Sequence, residues 1–554
     1  MMGAMSKMIP HNQLIVVDKQ AINERWQAED YLLKHSVKLN AKQCADYCSY
    51  FFANIKSGRL IRKNTVLLPV PKDMRLMPVG WLLSVQGMIS EKMAITPFLV
   101  SQRVKMPKSS MGWLPVKMRL ECVTWWTRQL KKRDMREAEQ GRIASHKVQK
   151  YCSDKLLLIM QQQQLRLAEW LARTTIESES GECLELAKVA QASIANPCLR
   201  RNELMVRIKG MEQHASIFGH CGRFITATAP SKMHRSKGKD WNGYDPKQVQ
   251  SYLVETWAKV RAKLARQKIA IYGVRVTEPH KDACPHWHLL AWFETTKQAK
   301  IGIKTIRHYF LQADGQESGA LFNRVKTVTI NPMKGGAASY VAKYVCKNVD
   351  GAHVDTMTDI DGQAVTDGKD GAARVKAWAS CWGARQFQFV GGAPIGLWRE
   401  LRRNRTGEGI TGAMFILWSL ADSADYCGFM IAYNYAKGEG IKPSIKKHKF
   451  IDDLKALAVK FGGVENIPDG DITKLTTLNK YQEPTSKVIG VVMGSSEIRT
   501  RSGKKWTIKT ETKKSGFLSP QDVLEAYAVS RGAAVDISDM VNVAFRLGVF
   551  SGSP

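Results

Sequence analysis

The stretch that most limits what this chain can fold into is Ile269-Ala-Ile-Tyr-Gly-Val-Arg-Val-Thr-Glu278-Pro-His-Lys-Asp-Ala-Cys-Pro-His286-Trp-His288-Leu-Leu-Ala-Trp-Phe293. Both arms are rich in β-branched and aromatic residues, and Pro279, Asp282 and Pro285 mark a connection between them, so it reads as a β-hairpin. Side chains on a strand alternate between faces, which puts His286 and His288 on one face. In a symmetric antiparallel hairpin Glu278 pairs across from His286 on that same face. Two imidazoles and a carboxylate then converge as a divalent-metal site with open positions. The same alternation also suits a half-exposed strand with no ligand. Cys284 shares the parity of the histidines and suggests a zinc alternative, but Pro285 and the turn argue against a continued strand.

A second feature is Gly335-Gly336-Ala-Ala-Ser-Tyr340-Val-Ala-Lys343-Tyr344-Val-Cys-Lys347-Asn-Val-Asp-Gly351, a helix bounded by glycines. At about 100° per residue Tyr340 and Tyr344 share a face, Lys347 falls in line with them and Lys343 flanks them. Val341, Val345 and Val349 form a separate stripe that docks the helix on a core and leaves the Tyr/Lys face for something outside it. An ordinary half-buried helix with tyrosine hydroxyls as polar handles has the same pattern.

Around these features elements alternate. A strand, Phe224-Ile-Thr-Ala-Thr-Ala-Pro-Ser231, leads into a basic loop, 231–240, whose Lys232 and Arg235 are candidate DNA contacts. Asp245-Pro246 caps a helix with apolar Val249, Leu253, Trp257, Val260 and Leu264. After the hairpin come a helix near Lys297 to Leu311, a strand near Phe322 to Ile330, the tyrosine helix, and a strand near Gln386 to Val390. The order β-α-β-β-α-β with additions predicts an α+β domain built on a ferredoxin- or RRM-like antiparallel sheet with helices on one side. The metal face of that sheet then meets the tyrosine helix.

The strand, the His-Trp-His hairpin and the Tyr-x-x-Lys-Tyr helix, in that order, resemble the motifs of the His-hydrophobic-His ("HUH") endonucleases, specifically the two-tyrosine branch of phage replication gene A proteins. The resemblance spans roughly residues 195 to 405. It implies metal ligation by His286, His288 and Glu278, nucleophiles at Tyr340 and Tyr344, and Mg or Mn as the cation. It further implies nicking of single-stranded DNA at a replication origin through a 5′-phosphotyrosine link, with a free 3′-hydroxyl that primes rolling-circle replication by a separate host helicase and polymerase. A phenol with a pKa of about 10 is mostly protonated at neutral pH. Lys343 and Lys347 can therefore supply charge beside a developing phenolate or hold backbone phosphates. A two-tyrosine transposase would share the motifs, with mobile-element ends as substrate. A non-catalytic origin-binding protein would use the sheet as an RRM-like platform.

The flanks rest on composition. A length of 554 suggests three or four domains, divided here into a mostly helical basic region 1–195, the endonuclease domain 196–405 and an accessory basic α/β region 406–554. A net charge of +33 and a pI near 9.7 call for a polyanionic partner, nucleic acid before a membrane. No run reaches the length of a spanning helix; the most apolar, Ile410 to Leu420, stops at Asp422. The amino terminus lacks a signal-peptide core, which predicts the cytoplasm; the resemblance to phage proteins implies that of a bacterial host cell. Eleven cysteines with no Cys-x-x-Cys predict free thiols.

In the first region Gln149 to Arg173 reads as helix, and Trp81, Trp113, Trp125 and Trp126 lie among basic residues as core or as base-stacking platforms. The Asp-rich segment 350–371 reads as a solvated acidic loop, with an extra metal ligand the alternative. The last region offers a helix at Thr411 to Leu420, a basic segment Lys442 to Lys449, a hairpin near Lys487 to Lys513 turning at Ser502-Gly503, and a terminal helical pair from Ser519-Pro520. No Gly-x-x-x-x-Gly-Lys-Ser/Thr run marks a P-loop ATPase.

Overall fold

In the computed structural model, which describes residues 40–56, 118–145, 149–330, 336–349, 368–404, 406–463, most of 466–500, and 506–510, the central hairpin forms where the alternation predicts it. Strands β1 (Thr174–Ser178), β2 (Cys183–Glu185) and β3 (Cys221–Ala227) precede it; β4 (Tyr272–Pro279) and β5 (Pro285–Phe293) are its arms; β6 (Val325–Thr329) and β7 (Phe387–Val390) follow. β3 to β7 make one five-stranded sheet in the order β6-β3-β5-β4-β7, with every neighbouring pair antiparallel. The described residues fall into two compact units, one drawn from 1–135 and 447–488, the other from 136–446 and 489–554; the sheet belongs to the second.

Helices cover both faces of this sheet, not one. Every residue of β4 and β5 is buried. β5 is apolar at every odd position, and β4 buries Arg275 and Thr277 on that same side, so neither strand has a face left for water. On one side Ile225, Trp287, Leu289, Ala291 and Phe293 pack against the helices Pro246–Arg266 and Thr296–Phe310. The first of these starts at the Asp245 cap, whose side chain accepts from the Gln248 N–H while the Asp245 N–H donates to Gln248 Oε1. On the other side Phe224, Val274, Val276, Leu290 and Trp292 meet the helix Pro197–Ile217 and the tyrosine helix, Gly336–Val349. Val341, Val345 and Val349 are the buried stripe. That core also takes in the helices Gly412–Asp422 and Tyr426–Gly438, through Met414, Leu417, Phe429 and Met430.

The helix Thr296–Phe310 lies close on the sheet because Gly302 has no side chain; a methyl there would run into the Phe293 ring. Gly302→Ala is expected to destabilise the protein by about 1–3 kcal/mol, the usual cost of overpacking. A lowered midpoint of denaturant unfolding checks it, since the intrinsic preference of alanine over glycine in a helix works the other way.

Three local expectations change. The strand near Phe322 to Ile330 is shorter, because Ala320–Asn323 is a helical turn anchored by buried Arg324, which donates to the carbonyls of Phe310 (3.0 Å) and Ala313 (2.8 Å) and pairs with Glu317. The hairpin placed near Lys487 to Lys513 is really β9 (Ser486–Met493) turning into β10 (Ser496–Arg499), with Gly494 in the left-handed conformation the tight turn needs. The Trp506–Thr510 strand (β11) pairs instead with β1, Ile508 opposite Ile176. β1 and β2 themselves form a hairpin inside the region expected to be mostly helical. Gln149 to Arg173 does contain a helix, Asp154–Ala172, and Lys442 to Lys449 contains a strand, β8 (Ser444–Lys449).

Trp125 and Trp126 are core rather than stacking platforms: they pack edge to face at 4.9 Å, and the buried indole of Trp126 donates to the Leu120 carbonyl. Trp81, Trp113, most of the acidic segment and the terminal helical pair lie outside the described residues. None of the eleven cysteines is joined in a disulfide. Among the described residues no helix is long and apolar enough to cross a membrane.

Candidate metal centre

Hairpin register sets the site. Glu278 lies directly opposite His286, and Val276 opposite His288, so the three polar side chains share the face that carries Val274, Val276 and Leu290. All three are buried. The Nε2 atoms of His286 and His288 face each other at 3.0 Å, and Glu278 Oε2 lies 3.9 Å from His288 Nε2. Among the described residues this is the one group whose geometry can hold a metal ion, with a ligand atom from each within 4.8 Å of the others.

The donor set fits a divalent cation. Two ligands at right angles on an ion, each about 2.1 Å away, stand about 3 Å apart, which is the separation of the two Nε2 atoms. Thr226, paired with His288 across β3 and β5, sets its Oγ1 3.2 Å from His288 Nδ1. Accepting the Nδ1 proton there would leave the Nε2 lone pair for ligation.

Cys284 takes no part. The turn breaks the parity, and its thiol joins the core on the opposite face, where its Sγ lies 3.6 Å from His234 Nε2 and burial pushes its pKa well up.

The tyrosine helix lies across the metal face. The Tyr344 ring stacks on His288 with centroids 4.2 Å apart and on Phe224 at 5.7 Å. Tyr344 is therefore buried beside the cluster, not exposed on a free face. Tyr340, Lys343 and Lys347 are on the same helix; their side chains lie outside the described residues.

Asn348, which the spacing did not single out, joins helix to cluster. Its side-chain amide donates to Glu278 Oε1 and to the Tyr344 carbonyl (2.7 Å), and Gln386 donates to its Oδ1 at 3.1 Å. Asn348 stands four residues after Tyr344, the one signal that places it on this face. Asn348→Leu removes the bonds that orient a ligand, and is expected to cost 10- to 100-fold in Mn affinity, as loss of such supporting bonds does at metal sites. Calorimetric Mn titration of the folded variant checks it, and an unchanged affinity would show that Glu278 needs no such support.

A second layer of histidines backs the cluster. His280 packs on His286 at 4.0 Å and edge to face on His234 at 5.1 Å. His234 Nδ1 is 3.5 Å from Asp282 Oδ2. Burial raises the pKa of Asp282, but hydrogen bonds from His234 and from the Cys284 and Ser236 N–H groups outweigh it and hold the carboxyl well below its usual range. The basic loop thus reaches toward the cluster through His234. Two of its four cations are engaged elsewhere: Lys232 pairs with Asp314 at 3.0 Å, and Arg235 donates to the Ala144 and Gly238 carbonyls and lies over the Trp241 ring.

These features define a class: a five-stranded antiparallel sheet with a His/His/Glu group able to hold a metal on one face and a tyrosine-bearing helix laid over it. Over residues 85–352 the chain matches the family model of the bacteriophage replication gene A protein. It is 35% identical to the "Probable replication protein P12" of Pseudoalteromonas phage PM2, over 69% of this chain and 58% of the relative. It is 36% identical to the "Replication gene A protein" of Escherichia phage 186, over 68% of this chain and 53% of the relative. It is 34% identical to a "Probable replication endonuclease from prophage-like region" of Salmonella paratyphi A, over 52% of this chain and 37% of the relative. The chain thus spans between about a third and three fifths of the length of these relatives. No solved structure matches it significantly.

Proposed function

We infer that the chain is a replication endonuclease that nicks single-stranded DNA at a phage replication origin by tyrosine transesterification and rejoins it, starting rolling-circle replication. The observation that carries this is the Tyr344 ring stacked on His288, within the group formed with His286 and Glu278. A nucleophile type and a cation site are side by side on one rigid sheet. The name "replication endonuclease" on one relative and the gene A family match support it.

The connectivity from β3 to β6, strand-helix-strand-strand-helix-strand in the order β6-β3-β5-β4, suits the ferredoxin-like HUH domain, with β7 added at the far edge. Residues 196–405 are read as the catalytic domain, with 1–195 and 406–554 as accessory regions.

His286, His288 and Glu278 would hold Mg or Mn, which supplies a positive charge that polarises the scissile phosphate. Tyr340 or Tyr344 gives its phenolic oxygen to phosphorus and loses its proton; the 3′ oxygen leaves and takes one up as a hydroxyl. One phosphodiester bond replaces another, so the reverse joining needs no ATP. Lys343 stabilises the developing phenolate and Lys347 holds a backbone phosphate; Lys232 and Arg235 would do the same only by exchanging Asp314 and the Ala144 and Gly238 carbonyls for phosphate oxygens. The freed 3′ end would be extended by host polymerase behind a host helicase, in the cytoplasm of the bacterial host. Mixing the protein with random single-stranded oligonucleotides and Mn should give a covalent protein-DNA band on a denaturing gel. Free cleaved ends with no protein attached would contradict the chemistry.

A further inference from the structure

On the sheet face opposite the metal cluster lies an open cleft of about 530 Å³. Lys300, Lys304, Arg307 and His308 come to it from the helix Thr296–Phe310, Arg223 from β3 and Thr327 from β6, and no carboxylate lines it. The helical residues follow the 3.6-residue repeat and share one face, while Ala299, Gly302, Ile306 and Phe310 fill the buried one. Lys300, Lys304 and His308 are exposed. Four permanent cations and a histidine facing one cleft repel one another unless an anion lies between them.

The cleft borders the edge of the sheet. β6 is the edge strand. Thr327 pairs with Ile225 on the cleft face, but its neighbour Lys326, exposed, pairs with Thr226, the residue bonded to His288 on the metal face. His288 is on β5, two strands from this edge, or about 10 Å. Next to the edge, Leu321 and Phe322 are 58% and 78% exposed, large apolar side chains left in water. Arg307 fastens that turn to the cleft by donating to the Leu321 and Val325 carbonyls.

We propose that the cleft is a second binding site, for the phosphodiester backbone of a single-stranded nucleic acid that passes from the metal face around the β6 edge, with a base stacked at Phe322. Cations that follow a backbone beside an exposed aromatic ring are the signature of single-strand binding. A duplex would have to bend sharply around an edge one strand thick, which its stiffness resists. The path of the strand rests on the nicking site proposed above; the cleft binds whether or not cutting occurs.

The test is the salt dependence of binding to a labelled oligothymidylate, followed by anisotropy, for wild type and Lys300→Ala/Lys304→Ala. Each lost phosphate contact lowers the log-log slope by about 0.7 for a single strand, so the double variant should lose about 1.4. Both lysines are on the surface, and an unchanged unfolding midpoint shows that the fold is intact. An unchanged slope overturns the site. Iodouracil-substituted DNA should crosslink within Ala320–Lys326, and Phe322→Ala should remove that crosslink; crosslinks confined to the metal face also overturn it. Adduct formation by the wild type is scored separately, so failure of the nicking chemistry leaves the slope comparison readable.

Discussion

The Tyr340→Phe/Tyr344→Phe double variant is expected to form no covalent complex with DNA, while each single variant keeps some. Phenylalanine retains the ring, so the stack of residue 344 on His288 and Phe224 survives and no cavity opens. Only the oxygen proposed as nucleophile is lost. The two positions stand one helical turn apart on the helix that crosses the metal face, so a small shift of helix or DNA presents either hydroxyl to the same phosphate. One nick needs one tyrosine. Completing a circle needs two: the regenerated origin must be cut while the first 5′ end is still held, and the new 3′-hydroxyl then attacks the first phosphotyrosine to close the strand. Each single variant should therefore cut an oligonucleotide yet fail to release closed circles. Closed circles from either one would show that the tyrosine it lacks is structural.

His286→Ala/His288→Ala should lower cleavage by about a thousand-fold or more, since a cation at the phosphate is worth several kcal/mol and Glu278 alone is one ligand of three. DNA affinity should change by less than about threefold, because it comes mainly from phosphate neutralisation by a +33 chain. Gel quantification of nicking and an anisotropy titration on the same preparation separate the two. Undiminished nicking in the presence of chelator would remove the cluster from the chemistry. A large loss of affinity would mean that the histidines hold the DNA itself.

Much of this centre was legible in the sequence because strand parity is strict. Two histidines two residues apart and a glutamate across a short turn have few ways to arrange themselves, and the register matches. The valine stripe of the tyrosine helix was legible for the same reason of period. Parity failed at Cys284, where a turn resets it. Covering of both sheet faces was half written in β5, apolar at its odd positions and again at Leu290 and Trp292, but Arg275 and Thr277 on β4 suggest a wet face and hid it. Asn348 was hidden because a single amide on a helix has no pattern; only the carboxylate it meets gives it meaning. The pairing of β1 with β11 joins residues more than three hundred positions apart, and no local signal reports a partner at that distance.

The most direct test of the central claim is to digest the wild-type covalent complex and sequence the peptide attached to DNA. The account predicts attachment within the helix Gly336–Val349, at Tyr340 and Tyr344, with a 5′-phosphate bridge and a free 3′-hydroxyl on the other fragment. Attachment at any residue outside that helix, or a 5′ end that carries no protein, would contradict it.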